Sequence, residues 1–172
     1  MGDWSVATES AFDSVDSSSA VRPANREDLE GLMRLERACY RGVYSEHRWE
    51  REQFAYYVRN PSARIAVCQR GAGYCGYVTG VISFRSGGTT AALLSLAVAP
   101  AYRKRRVGTA LLGWFECECR EAKCVSIDLE VARIRRPARR LYERFGYEEL
   151  GIRKDYYGPG GDAVRMRKTL SR

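Results

Sequence analysis

The passage at residues 93–119 most constrains what this chain can fold into. An apolar run, Leu93-Leu94-Ser95-Leu96-Ala97-Val98, ends at Pro100 and gives way to four consecutive cations, Arg103, Lys104, Arg105 and Arg106. Gly108 follows, and then a helical pattern with Ala110, Leu111, Trp114 and Phe115 on its buried side. A strand apolar enough to lie centrally thus passes through a basic loop into the first turn of an amphipathic helix. The first N–H groups of a helix lack intrahelical partners, and together with the helix dipole they make an anion site. Gly108 lets a phosphate come close to the backbone because no side chain blocks it, and Ala110 is small for the same reason. A solvated basic loop before a surface helix would account for the charges. It would not account for the small residues placed behind a central strand.

The rest of the chain supplies a frame for that segment. Residues 20–22 form a short strand that stops at Pro23, and residues 26–39 a helix capped by Asn25. A second helix covers 48–59 and ends at Asn60-Pro61. Strands at 64–68, 76–84 and 93–98, separated by glycine turns, read as an antiparallel meander. After the helix at 107–120, a strand at 125–131 follows a helical connection and so pairs in parallel with the strand before it. A helix at 137–145 uses Pro137 in its first turn and breaks at Gly146. Strands at 147–152 and 163–170 complete a mixed α/β sandwich, with residues 20–172 as one domain. Residues 1–19, rich in Ser, Asp and Ala, read as a disordered acidic tail.

Composition excludes some classes. At 172 residues, 45% hydrophobic and 29% charged, the chain can bury a core without disulfides. No apolar run approaches the ~18 residues of a membrane span. The start is acidic where a signal peptide is basic and apolar, and Val6 stands where myristoylation requires Ser or Thr. Six cysteines form no C-x-x-C pair, and the one histidine, His47, lies far from them, so no metal site is expected. Reduced thiols in a cytoplasmic protein are the expectation, and Cys117 and Cys119 read as structural. The first 19 residues hold four acids and no Lys or Arg, so the remainder carries +12 against +8 for the whole. That charge suits an anionic cofactor, an acidic protein face or nucleic acid.

Arg105-x-x-Gly108-x-Ala110 resembles the R/Q-x-x-G-x-G/A signature of the GNAT acetyltransferase superfamily. Further matches lie at Leu129-Glu130-Val131, Ala138, Leu141-Tyr142-Glu143, Phe145-Gly146-Tyr147, Tyr156-Tyr157 and Met166. These resemble the C-terminal half of RimI-type enzymes, the ribosomal-protein-alanine N-acetyltransferases. The resemblance implies a GNAT-type, mostly antiparallel sheet flanked by helices, with a central parallel strand pair. It implies acetyl-CoA as cosubstrate, no metal, and cofactor contacts from Leu96, Ala97, Val98, Lys104, Arg105, Arg106, Val107, Gly108, Thr109 and Ala110. It also implies Glu130 as general base and Tyr142 as general acid, the latter taken as a phenol at a helix start. The chemistry needs both residue types. An N-terminal amine has a pKa of about 8 and a lysine about 10.4, so the attacking nitrogen must lose a proton. The leaving thiolate needs a proton, and the developing oxyanion needs a fixed donor, such as a backbone N–H near Val98.

Three positions depart from the RimI pattern. Arg135 stands where an Asn contacts the cofactor, and a phosphate contact could replace the amide one. Arg106 stands where Gly is common, which keeps the loop amide in place only if its φ is negative. The segment 40–49, with Tyr44 and His47, replaces the family's acceptor loop and is expected to line the acceptor groove with residues 156–162. The resemblance implies a protein N-terminal α-amine as acceptor, with a ribosomal protein among the candidates. Lysine and small amines are the alternatives on the same scaffold. A non-catalytic basic module that binds nucleic acid or the ribosome is the alternative of another class. The protein is expected to be a monomer or weak dimer without membrane attachment.

Overall fold

A computed structural model describes residues 19–40 and 48–170. Residues 1–18 of the expected acidic tail, and residues 41–47 of the expected acceptor segment with Tyr44 and His47, lie outside the described residues, whereas Ser19 already belongs to the first strand. The elements run β1 (Ser19–Pro23), a 3-10 turn (Arg26–Asp28), α1 (Leu29–Cys39), α2 (Arg51–Arg59), β2 (Ala63–Arg70), β3 (Gly73–Arg85) and β4 (Gly88–Val98). A second 3-10 turn (Pro100–Tyr102) leads to α3 (Val107–Glu121), β5 (Ser126–Ala132), α4 (Arg136–Arg144), β6 (Glu148–Arg153) and β7 (Ala163–Thr169). The strands form one sheet in the order β1-β2-β3-β4-β5-β7-β6. Every neighbouring pair is antiparallel except β4 and β5, which run parallel.

The expected meander is present, with β2, β3 and β4 longer than the sequence pattern indicates. Arg70 pairs with Gly73 and Arg85 with Gly88, so each hairpin turns through two residues. Gly71 supplies a positive φ of 55° in the first turn. Asn25 caps as anticipated, and its side chain accepts from the Glu27 N–H. The second helix begins at Arg51 rather than 48, because Glu50 and Gln53 form its capping box.

Strand alternation sends apolar side chains to both faces of the sheet. Ile65, Val67, Tyr77 and Ala97 meet Leu32, Leu35 and Phe54 of α1 and α2. Ala66, Cys68, Val78, Ala91 and Leu93 meet Leu111, Leu112 and Phe115 of α3. Burying both faces is what a central strand requires.

One irregularity decides where the site lies. The β3–β4 register runs Thr79↔Ser95 and then Gly80↔Leu93, so Leu94 is an extra residue, a β-bulge. A one-residue slip reverses which face each later side chain takes. Ala91 and Leu93 accordingly pack under α3, whereas Ser95 and Ala97 turn toward α1 and α2.

Candidate active site

The parallel pair stays together only from Thr90↔Ser126 to Leu93↔Leu129. Beyond the bulge β4 leaves β5, and β5 continues against β7 through Ala132↔Ala163. The strands splay, and the wedge between them is a cleft of about 1570 Å³ walled by residues 93–98 and 129–132. Along residues 94–98 one edge of β4 has no strand partner among the described residues, so its backbone groups face the opening.

At one end of the cleft stands the basic loop. Lys104 and Arg106 both take φ of 60°, whereas Arg105 between them does not have positive φ. Such alternation turns successive N–H groups toward one concavity, an anion-binding nest. Arg106 is the N-cap of α3 at ψ 5°, so the nest opens onto the helix N-terminus. The expectation tied the loop amide to a negative φ at Arg106; the φ is instead positive, so an arginine is carried in the left-handed region within the nest. That conformation costs an L residue roughly 1–2 kcal/mol. Gly108 lies against Leu96, Val98 and Leu141, where a Cβ would sit 3.3 Å from Leu141. Both floor strand and helix therefore close on the glycine.

Of the residues anticipated on the cofactor side, Leu96, Ala97, Val98, Lys104, Arg106, Val107, Gly108, Thr109 and Arg135 line the cleft, and Arg105 and Ala110 do not. Ala110 is buried in the core, and its N–H donates to the Arg106 carbonyl at 3.0 Å. Its small size thus serves helix packing rather than phosphate approach. Arg135 is the N-cap of α4, next to the cleft wall.

Glu130 and Tyr142 face the same cleft. Glu130 lies on β5 one residue beyond the end of the parallel pairing, and its Oε1 accepts from the Arg153 guanidinium at 3.1 Å. Its carbonyl accepts from the Tyr157 hydroxyl at 3.2 Å. Arg153 in turn lies 4.6 Å from the Tyr156 ring. Tyr142 sits in the last turn of α4, not at a helix start. It is 6% exposed, with its ring 5.7 Å from that of Tyr147. Burial pushes its hydroxyl well above the ordinary tyrosine range, and the nearby Tyr40 and Tyr157 add to this. Tyr142 is thus a neutral O–H at physiological pH, able to give a proton but not charged in the resting site.

The far wall holds groups that the sequence reading passed over. Glu36 of α1 is 1% exposed, and its Oε1 accepts from the Trp49 N–H at 2.8 Å. Its Oε2 accepts from the Tyr77 hydroxyl at 2.5 Å. Tyr77 meets Ser95 at 2.8 Å, and Ser95 meets Tyr40 at 3.2 Å. Burial raises the Glu36 carboxyl above the usual range, opposed by these donors and by Arg48. A signal was available: Leu29, Leu32, Leu35 and Glu36 share one helical face, and an acid on an apolar stripe is seldom there without partners. Cys39 also lines the cleft, and burial pushes its thiol up to about 11 despite the neighbouring Arg103. It is therefore a poor nucleophile. The described residues hold no group of three or more His, Cys, Asp or Glu that could bind a metal ion, and no helix long and apolar enough to cross a membrane.

A splayed parallel pair with an anion nest at the following helix defines an α/β class built to hold a phosphorylated ligand along a strand edge. Residues 29–147 match the acetyltransferase (GNAT) family, and the chain belongs to it. It is an N-acetyltransferase of the GNAT type. A Bacillus subtilis (strain 168) relative, provisionally named a ribosomal protein bS18-alanine N-acetyltransferase, is 29% identical over 89% of this chain and 97% of its own. The Escherichia coli ribosomal-protein-S18-alanine N-acetyltransferase shares the fold at TM-score 0.76, with 22% identity over 90% of this chain and 95% of that one. Arabidopsis thaliana NAA60, solved with acetyl-CoA, does so at TM-score 0.72, with 24% identity over 88% and 98%.

Proposed function

We propose that this protein moves an acetyl group from acetyl-CoA to the N-terminal α-amine of a protein, by direct attack of the amine on the thioester. The observation that carries this reading is the cleft. At about 1570 Å³ it exceeds the roughly 300–1,000 Å³ of an ordinary small-molecule site. It has an anion nest at one end, and Trp49, Tyr156 and Tyr157 also line it. That leaves room for an extended cosubstrate and a peptide end together. The B. subtilis relative, matched over nearly its whole length, supports a protein α-amine, with a ribosomal protein as a candidate acceptor in the cytoplasm.

The residues present suit acetyl-CoA. The nest at Lys104, Arg105 and Arg106, with the amides of Val107, Gly108 and Thr109, would hold the pyrophosphate, and Arg135 would add a phosphate contact. The open edge at Leu96, Ala97 and Val98 would bond the pantetheine arm as an added strand does, and an N–H near Val98 would stabilise the oxyanion. When bound, acetyl-CoA supplies the activated acyl group. Glu130 takes a proton from the nitrogen as it attacks, and Tyr142 gives one to the departing sulfur.

The test is release of CoA by the purified protein, compared across three acceptors. These are peptides with a free N-terminal Ala or Ser, the same peptides with a blocked N-terminus and an internal Lys, and small polyamines. Release is expected only with the free N-terminus. Release confined to the blocked peptide or to polyamines would move the acceptor to lysine or small amines.

A further inference from the structure

The hydroxyl chain on the far wall has only one direction. Tyr77 is fully buried, and its single O–H donates to Glu36. Toward Ser95 it can therefore only accept, so the Ser95 hydroxyl donates to Tyr77. The proton of Ser95 is then committed, and Tyr40 must donate to Ser95. All three hydroxyl protons point at Glu36, and the Tyr40 oxygen is left as an acceptor on the cleft wall. Only the bulge at Leu94 makes this possible, because it turns Ser95 away from α3 and toward Tyr77.

Acetylating an ammonium removes two protons from nitrogen. One must leave before attack, to free the lone pair, and the other leaves as the amide forms. Glu130 takes the second, and Tyr142 gives its own proton to sulfur and recovers one from solvent as products leave. Each of the two handles one proton, so an ammonium proton lost inside the cleft needs a further acceptor.

Building on the acetyltransferase reading above, we infer that Tyr40, Ser95, Tyr77 and Glu36 form a proton relay that neutralises the acceptor ammonium before attack. The ammonium N–H donates to the Tyr40 oxygen. Its proton passes to Tyr40, that of Tyr40 to Ser95, that of Ser95 to Tyr77, and that of Tyr77 to Glu36. No charge is left on any hydroxyl; the amine becomes neutral and Glu36 becomes a carboxylic acid. The chain now points the other way, with the Tyr40 O–H aimed into the cleft, and the proton returns to solvent as products leave.

The surroundings of Glu36 suit a carboxylate that accepts and gives back a proton. Arg48 and the Trp49 N–H favour its charged form, burial favours its neutral form, and Tyr77 bonds either. Cys39 and Tyr40 stand beside it at the end of α1, and Arg103 and Arg135 face those two from the basic loop and the start of α4. Glu36 acts through Tyr77 and Ser95, as the terminal proton acceptor of the relay.

The test uses the full chain with Tyr77→Phe and Ser95→Ala, each of which interrupts the relay. The readouts are kcat/KM for an N-terminal peptide from pH 6.5 to 9, acetyl-CoA affinity and melting temperature. At pH 6.5 only about 3% of an amine with a pKa near 8 is already neutral. Either variant should therefore lose about tenfold or more at pH 6.5, up to roughly 30-fold, and return to within about twofold of wild type at pH 9, with acetyl-CoA affinity unchanged. Ser95→Ala carries the test should Tyr77→Phe melt near the assay temperature. A loss by one factor at every pH, or no loss at all, overturns the relay while leaving acetyl transfer standing. A wild-type protein that binds acetyl-CoA but releases no CoA with any amine overturns the acetyltransferase reading and the relay with it.

Discussion

Tyr142 and Glu130 stand on different elements, yet both line the cleft, and Glu130 lies just past the point where β4 and β5 part. If Tyr142 protonates the leaving sulfur, Tyr142→Phe lowers kcat by about 10²-fold and leaves acetyl-CoA affinity within twofold. Equal turnover in stopped-flow CoA release would sink that role. Glu130→Gln is expected to lower kcat by a similar factor across pH 6.5–9, because it takes the proton lost during attack. A loss confined to low pH would give it the ammonium proton instead and displace the relay. Both candidates were legible through the family resemblance, in which Leu129-Glu130-Val131 and Leu141-Tyr142-Glu143 set Glu130 and Tyr142 twelve positions apart. Their environment was not. Arg153 reaches Glu130 from β6 across the intervening β7, and Glu36 reaches Tyr77 from a helix to a strand 41 residues on. Such contacts depend on register and side-chain direction, which no local pattern carries.

At the level of elements, the strand-loop-helix segment was readable because its parts are local: an apolar run, a basic loop, a helix start. The bulge was not. An uninterrupted apolar run from Leu93 to Val98 reads as plain alternation, and alternation would place Ser95 and Leu93 on the same face. The extra residue is visible only in the pairing with β3. Left-handed Arg106 likewise shows only in the backbone. Arg106→Gly removes a steric cost of roughly 1–2 kcal/mol and adds unfolded-chain entropy of roughly 0.5–1 kcal/mol. A net gain of about 0.5–1 kcal/mol, or about 2 °C in Tm, is expected; a lower Tm by calorimetry would contradict the strain. Gly80 shows the opposite case. A Cβ there would stand 2.3 Å from the Phe115 ring and 2.6 Å from the Ala92 carbonyl oxygen. Gly80→Ala should cost about 1–3 kcal/mol in denaturant unfolding, because α3 cannot settle as closely onto the sheet. A change under about 0.5 kcal/mol would mean that the helix moves freely.

For the molecule as a whole, parallel pairing of β4 and β5 followed from the helix between them, but the insertion of β7 between β5 and β6 did not. A seven-stranded order depends on how the last hairpin folds back, and turn residues do not state which strand joins the sheet. The fold is also tied at its far edge by Asp28, whose carboxylate accepts two bonds from Arg22, one from the Asn25 N–H and one from Tyr74. Burial alone would raise its carboxyl, but these donors prevail and hold it at about 2. A carboxyl lowered by folding stabilises above its unfolded pKa and ceases to do so as pH falls through the folded value. Asp28→Asn should therefore destabilise by about 1–2 kcal/mol at pH 7, and the difference from wild type should close toward pH 2. Melting curves at both pH values check this, and a gap that persists at pH 2 would contradict it. The acceptor decides which kind of transferase this is. Its most direct measurement is mass-spectrometric localisation of the acetyl group on one peptide carrying both a free N-terminus and an internal lysine, after incubation with acetyl-CoA and the protein. Acetylation of the α-amine with the lysine untouched is the result expected; acetyl on the lysine, or on neither, would contradict it.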